Sequence, residues 1–201
     1  LGIVNSAHFD YARRAIDAGW NVIVEKPFTM TVAEAEELAA MALERKLYLF
    51  EAVSPLHTPN FRLVKENLGR IAPIHFVQCN YSQYSSKYDR YLQGDIAPAF
   101  DPLSGGGTLN DLNVYNINVV TALFGPPAAS RYFANYGHNG IDTSGVMLPS
   151  SPPPSLLHQS HFKLLVFILL GMRLYQSVVH PHPRRERLDT HSDSRQQVRL
   201  C

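Results

Sequence analysis

Apolar residues in the first third of the chain occur either in short continuous runs, typical of buried strands, or three and four positions apart, typical of helices. The predicted elements are a strand end at 1–4, a helix at 8–18, a strand at 21–24, a helix at 31–45, a strand at 47–53 and a helix that starts at Thr58. A capping box at Thr31 and Glu34 marks the start of the second helix. Strands and helices that alternate with short turns predict βαβ units, so residues 1–69 are expected to form part of a doubly wound parallel sheet.

The pattern changes after residue 70. Residues 73–82 alternate between apolar and polar side chains and are rich in β-branched and aromatic residues, which predicts a longer strand of a half-exposed sheet. Three glycines, 105–107, precede a helix predicted over 108–124, and two more strands are predicted at 131–136 and 143–148. Consecutive glycines let the backbone approach either a ligand or a neighbouring element closely. Residues 70–148 therefore predict a second domain with a sheet of a different kind.

Residues 149–201 share no periodicity with the preceding chain. They contain the run Ser-Pro-Pro-Pro, five of the nine histidines and a basic cluster at 183–187. This composition predicts an aberrant or disordered tail, such as a frame-shifted end, to which no function is attached. A tail in which one hydrophobic stub at 162–170 packs locally is the alternative.

Composition and charge exclude several classes of protein. With 201 residues and 45% hydrophobic content, the chain can bury one good core or two small ones. Residues 1–146 carry 11 basic against 14 acidic side chains, and the basic excess is confined to the irregular tail, so no nucleic-acid partner is expected. Two cysteines without a signal peptide predict a cytoplasmic protein, and the longest apolar run, at 164–170, is too short to span a membrane. No metal site is expected, because ligand spacing is absent among His57, His75 and His138.

One lysine lies at the position where parallel sheets place their chemistry. The β-branched run 22–24 predicts a strand that ends at Glu25-Lys26-Pro27. The proline keeps Lys26 in an extended conformation at the carboxyl edge of the sheet, where ligands of open α/β folds bind. The alternative is a solvated loop lysine without a function.

Further candidate residues lie on the predicted 108–124 helix and in the first turn of the chain. Asp111 and Tyr115 are four residues apart, so they share a helix face. A helix cap and a packed aromatic residue, respectively, are the structural alternatives for these two side chains. Asn5 and His8 lie in the first strand-to-helix turn, where they are either an N-cap pair or a cofactor contact.

Three motifs together resemble those of one family of oxidoreductases. They are Asn5-x-x-His8, Glu25-Lys26-Pro27 and Gly105-Gly106-Gly107-x-x-x-Asp111-x-x-x-Tyr115. Over about residues 1–146 the chain is similar to the glucose–fructose oxidoreductase, inositol dehydrogenase and rhizopine catabolism (Gfo/Idh/MocA) family. The tyrosine makes it most similar to the glucose–fructose oxidoreductase and dihydrodiol dehydrogenase branch.

This resemblance implies a fold, a cofactor and a substrate class. The fold is a partial Rossmann NAD(P)-binding domain at 1–69, followed at 70–148 by a partial α/β substrate and dimerisation domain with an open, largely antiparallel sheet. The cofactor is NAD or NADP, and the substrate is a sugar, cyclitol or diol. The intact family member is expected to be a homo-oligomer, with the tyrosine-rich loop 81–91 lining the polyol pocket.

The resemblance also assigns residues to chemistry. It implies catalytic roles for Lys26, Asp111 and Tyr115, and cofactor contacts for Asn5, His8, Glu25, Lys26 and Pro27. Hydride transfer from an alcohol needs a base for the hydroxyl proton, and a phenol beside an ammonium favours its ionised form. Tyr115 would exchange the proton, Lys26 would bind the substrate oxygen and the nicotinamide ribose, and Asp111 would position or neutralise one of them.

Two departures from the family pattern define an alternative hypothesis. The chain has no Gly-x-Gly-x-x-Gly turn and is expected to enter near the fourth Rossmann strand, without the half of the site that holds phosphates. The irregular tail stands where more strands of the second domain are expected. The alternative is a non-catalytic fragment, or a binding or dimerising module, that is inactive alone and aggregates through an exposed strand edge.

Overall fold

The computed structural model describes residues 1–72, 74, 76–150, 165–171 and 199–200. Its helices are α1 (His8–Asp17), α2 (Val32–Glu44), α3 (Pro59–Asn67), α4 (Tyr88–Leu92) and α5 (Val114–Phe124), the last preceded directly by a π-helical segment (Leu109–Asn113). Its strands are β1 (Val22–Val24), β2 (Leu49–Glu51), β3 (Phe76–Ser82), β4 (Ala129–Tyr136), β5 (Asp142–Ser150), β6 (Leu165–Gly171) and β7 (Arg199–Leu200).

The first part of the chain forms the predicted βαβ arrangement. Strands β1 and β2 pair in parallel, with Ile23 opposite Phe50. Helices α1 and α2 pack against the buried side chains of β1, and the core consists of Ala12, Ile16, Val22, Val24, Leu38 and Ala42. The capping box is confirmed, because the Thr31 hydroxyl accepts from the Glu34 N–H while the Glu34 carboxylate accepts from the Thr31 N–H.

The strand end predicted at residues 1–4 is reduced to a single bridge beside β1. The amino group of Leu1 donates to the Ile23 carbonyl, and the Leu1 carbonyl accepts from the Glu25 N–H. This is the hydrogen-bond pattern of parallel strands. The predicted burial is wrong, because Leu1, Ile3 and Val4 are exposed.

The second sheet has the strand order β4-β5-β6-β3-β7. It is antiparallel between β4 and β5 and between β5 and β6, and parallel where β3 meets β6 and β7. The described core on this side consists of Val77, Cys79, Tyr88, Tyr91, Phe100, Leu112, Val120 and Ile141. The fold class is therefore confirmed as a parallel α/β unit followed by an α+β unit with a mixed sheet.

The predicted tail needs one correction. Residues 165–171, which the sequence analysis left without a place in the sheet, form β6 between β3 and β5. Residues 165–170 are a continuous apolar run, which is a pattern typical of strands. Strand β5 also continues two residues past its predicted end, to Ser150. Apart from these and residues 199–200, the predicted tail lies outside the described residues.

Candidate active site

Lys26 joins the two parts of the fold. It follows β1, and its Nζ donates to the Asp111 carboxylate at 2.7 Å and to the Asp111 backbone carbonyl at 2.6 Å. The lysine side chain is 15% exposed and the aspartate side chain 36% exposed, so the ion pair is partly shielded from water. A charge held by two acceptors across 85 positions of sequence is not the solvated loop lysine of the alternative interpretation.

Tyr115 lies beside this ion pair. The Lys26 Nζ is 4.9 Å from the centroid of the Tyr115 ring, within the range of a cation–π interaction. The ring of Tyr81, on β3, stacks on Tyr115 with centroids 5.3 Å apart. The structure therefore brings together Lys26, Asp111 and Tyr115, the three residues predicted to be catalytic.

The segment that carries Asp111 is π-helical, which the sequence analysis did not predict. The predicted helix at 108–124 forms, but Leu109–Asn113 has the wider π-helical turn and only Val114–Phe124 is α-helical. Single π-helical turns occur frequently at functional sites. Here the segment presents a backbone carbonyl as well as a carboxylate to Lys26.

The glycine turn is explained by neighbouring protein atoms. A Cβ atom at Gly105 would collide with the Met30 side chain, and one at Gly107 would collide with the Asp142 carboxylate. Both residues also have positive φ, at 73° and 103°. Close approach to a neighbouring element, one of the two predicted uses of these glycines, is confirmed.

Asp142, at the start of β5, is a residue that sequence reasoning missed. Its carboxylate accepts from the Leu109 N–H at 2.7 Å and from the Tyr132 hydroxyl at 2.6 Å, and its carbonyl accepts from the Thr108 hydroxyl at 3.1 Å. Burial, together with the Asp142 carboxylate, raises the pKa of the Tyr132 phenol, so this donor stays protonated. No local motif signals the contact, because Asp142 and Leu109 are 33 positions apart.

Asn5 and His8 form hydrogen bonds with backbone carbonyls near Lys26. The Asn5 side chain donates to the Gly105 carbonyl at 2.9 Å and so links the first turn to the glycine turn. His8 is 0% exposed, with Nδ1 at 2.8 Å from the Pro27 carbonyl and Nε2 at 3.2 Å from the Ile3 carbonyl. Neither side chain caps a helix, so the N-cap interpretation is wrong.

The remaining predicted residues lie around the end of β1. Glu25 is exposed, and the peptide bond between Lys26 and Pro27 is cis. The next turn is held by Glu51, a second residue that sequence reasoning missed, whose carboxylate accepts from the Phe28 N–H at 3.0 Å. Burial raises the pKa of the Glu51 carboxyl, while this hydrogen bond and the nearby His8 oppose the shift.

Two tyrosines of the tyrosine-rich loop belong to the core. Tyr88 and Tyr91 are buried, and Tyr91 stacks on Phe100 with centroids 4.8 Å apart while its hydroxyl donates to Asn139. The prediction that this loop lines a pocket is therefore wrong for these two tyrosines. Tyr81 does line a cavity of about 180 Å³, which lies between α3, β3 and α5 and is also lined by Tyr115.

The described residues contain neither a membrane-crossing helix nor a metal-binding cluster. None of their helices is both long and apolar enough to cross a membrane. None of their histidine, cysteine, aspartate and glutamate side chains form a group of three or more that could hold a metal ion.

Comparison with known proteins identifies the class to which this fold and site belong. Residues 1–52 match the model of an oxidoreductase family with an NAD-binding Rossmann fold. The chain is 35% identical over 144 residues to the uncharacterized oxidoreductase YgjR of Escherichia coli. This match covers 72% of this chain and 44% of that protein. It is 32% identical over 146 residues to the NADP(+)-dependent scyllo-inositol 2-dehydrogenase IolU of Bacillus subtilis, and this match covers 73% of this chain and 44% of that protein.

A solved structure shows the same fold. The WlbA dehydrogenase of Thermus thermophilus, in complex with NAD and α-ketoglutarate, has a TM-score of 0.68 at 17% identity, covering 85% of this chain and 49% of that one. The matched model is that of an oxidoreductase family, and the fold is that of its NAD-binding Rossmann class. The chain belongs to the Gfo/Idh/MocA family, as its motifs predicted. It spans less than half the length of the two curated relatives, and the relatives' names do not support the non-catalytic alternative.

Proposed function

We propose that this chain contributes the substrate-side residues of an NAD(P)-dependent oxidoreductase that transfers a hydride between nicotinamide and the hydroxyl or carbonyl carbon of a sugar, cyclitol or diol. The observation that carries the proposal is the contact of Lys26 with both Asp111 and Tyr115. It sets an ammonium, a carboxylate and a phenol together at the carboxyl end of a parallel strand, where open α/β sheets bind ligands. The name of the relative IolU supports the cyclitol class.

The end of β1 suits a nicotinamide cofactor. That cofactor, when bound, supplies the hydride acceptor or donor. Lys26 would hold its ribose, with Glu25 and Pro27 on either side in the chain. His8, which has no exposed surface, would act by holding the Pro27 carbonyl, and Asn5 would act by holding the glycine turn.

The three central side chains have separate roles in this proposal. As a substrate alcohol loses hydride from carbon, its hydroxyl proton passes to the oxygen of Tyr115. The Lys26 ammonium, 4.9 Å from the centroid of the Tyr115 ring, binds the substrate oxygen. Asp111 fixes Lys26 through its carboxylate and its backbone carbonyl, so that the ammonium is aimed before substrate arrives.

Titration of the 201-residue chain with NADH and NADPH, followed by nicotinamide fluorescence, tests the proposal. We expect saturable binding that is lost in Lys26→Met, because methionine keeps the length of the side chain and removes its charge. Lys65→Met is the matched control, since Lys65 is an exposed lysine on α3. Binding that Lys26→Met leaves unchanged, or the absence of binding by the unsubstituted chain up to millimolar cofactor, would overturn the proposal for this polypeptide.

A further inference from the structure

Tyr115 is held through its ring and not through its hydroxyl. The Lys26 Nζ lies 4.9 Å from the centroid of this ring, and the Tyr81 ring stacks on it with centroids 5.3 Å apart and an angle of 24° between the planes. Within the described part of the chain, the Tyr115 hydroxyl forms no hydrogen bond that would fix its direction. The direction of the hydroxyl therefore depends on the contacts of the ring.

The helix by itself does not fix the Tyr115 ring. A tyrosine within a helix has two favourable rotamers about its Cα–Cβ bond. The cavity of about 180 Å³ between α3, β3 and α5 is lined by Tyr115, so space is open beside the ring. A neighbouring side chain is needed to select the rotamer in which the ring lies next to the Lys26 ammonium.

Tyr81 is well placed to be that neighbour. It lies in β3 on the same face as the buried side chains of Val77 and Cys79, because alternate residues of a strand share a face. The core cluster that contains Val77 and Cys79 also contains Leu112, three residues before Tyr115. The strand and the helix that carry the two tyrosines are thus packed on one another, and this packing sets the position of one ring relative to the other.

We propose that Tyr81 is a positioning residue that selects the rotamer of Tyr115. Aromatic pairs prefer particular ring arrangements, so the stack stabilises the Tyr115 rotamer seen here over the other one. In this rotamer the ring meets the Lys26 ammonium within the range of a cation–π interaction. The consequence for catalysis rests on the function proposed above: the phenol that exchanges the proton is aligned with Lys26 before substrate binds. The rotamer preference itself does not depend on that function.

NMR of the 201-residue chain tests the role of Tyr81. The three-bond couplings between the Hα and Hβ atoms of Tyr115 report its rotamer populations, and the spectrum of Tyr115→Phe assigns the signals. We expect one dominant rotamer in the unsubstituted chain and in Tyr81→Phe, which keeps the ring and removes only the hydroxyl. In Tyr81→Leu the ratio of this rotamer to the others should fall about two- to tenfold, because the stacking is lost.

Two further variants keep the test decisive. Tyr136→Leu is the matched control, because Tyr136 is an exposed tyrosine at the end of β4, and it should leave the Tyr115 couplings unchanged. Tyr81→Val replaces Tyr81→Leu if that variant does not fold by circular dichroism, since valine suits a strand. Several rotamers of Tyr115 in the unsubstituted chain, couplings that the loss of the Tyr81 ring leaves unchanged, or equal changes in Tyr81→Phe and Tyr81→Leu would overturn the proposal.

Cofactor titration separates this proposal from the proposed function. Tyr81→Leu keeps Lys26, so we expect it to bind NADH or NADPH as the unsubstituted chain does. A rotamer change in Tyr81→Leu, together with no cofactor binding by the unsubstituted chain, refutes the proposed function alone. Cofactor binding that depends on Lys26, together with Tyr115 couplings that Tyr81→Leu does not change, refutes the role of Tyr81 alone.

Discussion

The carboxylate of Asp142 lies 2.7 Å from the backbone nitrogen of Leu109, so the first residue of β5 holds the start of the π-helical segment that carries Asp111. The same carboxylate accepts from Tyr132 on β4. The hairpin of β4 and β5 thus sets the position of the helix from which Asp111 and Tyr115 reach Lys26.

Replacing this carboxylate will destabilise the fold. Asp142→Ala leaves the Leu109 N–H and the Tyr132 hydroxyl without their acceptor, and we expect a loss of about 2–4 kcal/mol in the free energy of unfolding. Urea denaturation followed by circular dichroism measures the loss. Asp10→Ala, at an exposed position of α1, is the control and should cost below about 1 kcal/mol. Equal losses in the two variants would show that the Asp142 contacts do not stabilise the fold.

The Lys26–Asp111 pair will be more strongly coupled than a surface ion pair of the same length. A double-mutant cycle with Lys26→Met and Asp111→Asn is expected to give a coupling energy of about 1–2 kcal/mol, because the pair is partly shielded. Arg45 and Asp17 form the control cycle. Their side chains are also 2.7 Å apart, but both are more exposed than those of Lys26 and Asp111, and a coupling energy of about 0.2–1 kcal/mol is expected. A coupling for Lys26 and Asp111 no larger than that of the control would contradict the prediction.

A side chain at position 107 will lower the free energy of unfolding by more than the positive φ of Gly107 alone explains. Gly107→Ala introduces a Cβ against the Asp142 carboxylate at a φ of 103°, whereas Gly140→Ala meets open space at a φ of 79°, which is also positive. We expect about 1–2 kcal/mol of destabilisation for Gly140→Ala and at least about 1 kcal/mol more for Gly107→Ala. Thermal unfolding of both variants gives the comparison, and similar melting temperatures would argue against close packing at Gly107.

Glu51 will make stability depend on pH in a predictable direction. Burial raises the pKa of the Glu51 carboxyl, so the folded chain binds the Glu51 proton more tightly than the unfolded chain. The stability that protonated Glu51 contributes at low pH is therefore lost as the pH rises through its pKa in the folded chain. Glu51→Gln keeps an oxygen for the Phe28 N–H and carries no charge. We expect it to raise Tm at pH 7 and to raise it less at pH 4, whereas Glu36→Gln, an exposed control on α2, changes neither. A lower Tm for Glu51→Gln at pH 7 would refute the direction of the shift.

Much of the fold was predictable because its determinants are local. The capping box of Thr31 and Glu34 needs only three residues of separation, and the β1 run lies within one βαβ unit. The motif around Lys26 and the helix with Asp111 and Tyr115 were recognised for the same reason, since each is a short pattern of residue types along the chain.

What the sequence by itself determined is therefore the identity of the three side chains at the candidate site and the order of most helices and strands in residues 1–150. Helix α4 was missed, because its residues were predicted to be part of the tyrosine-rich loop. The tertiary structure alone decided the rest, because it depends on partners distant in sequence. It buried Tyr88 and Tyr91, inserted residues 165–171 between β3 and β5, and brought Asp142 to Leu109. A side chain's contacts across a sheet or between domains follow from packing, and packing leaves no periodic signal along the chain.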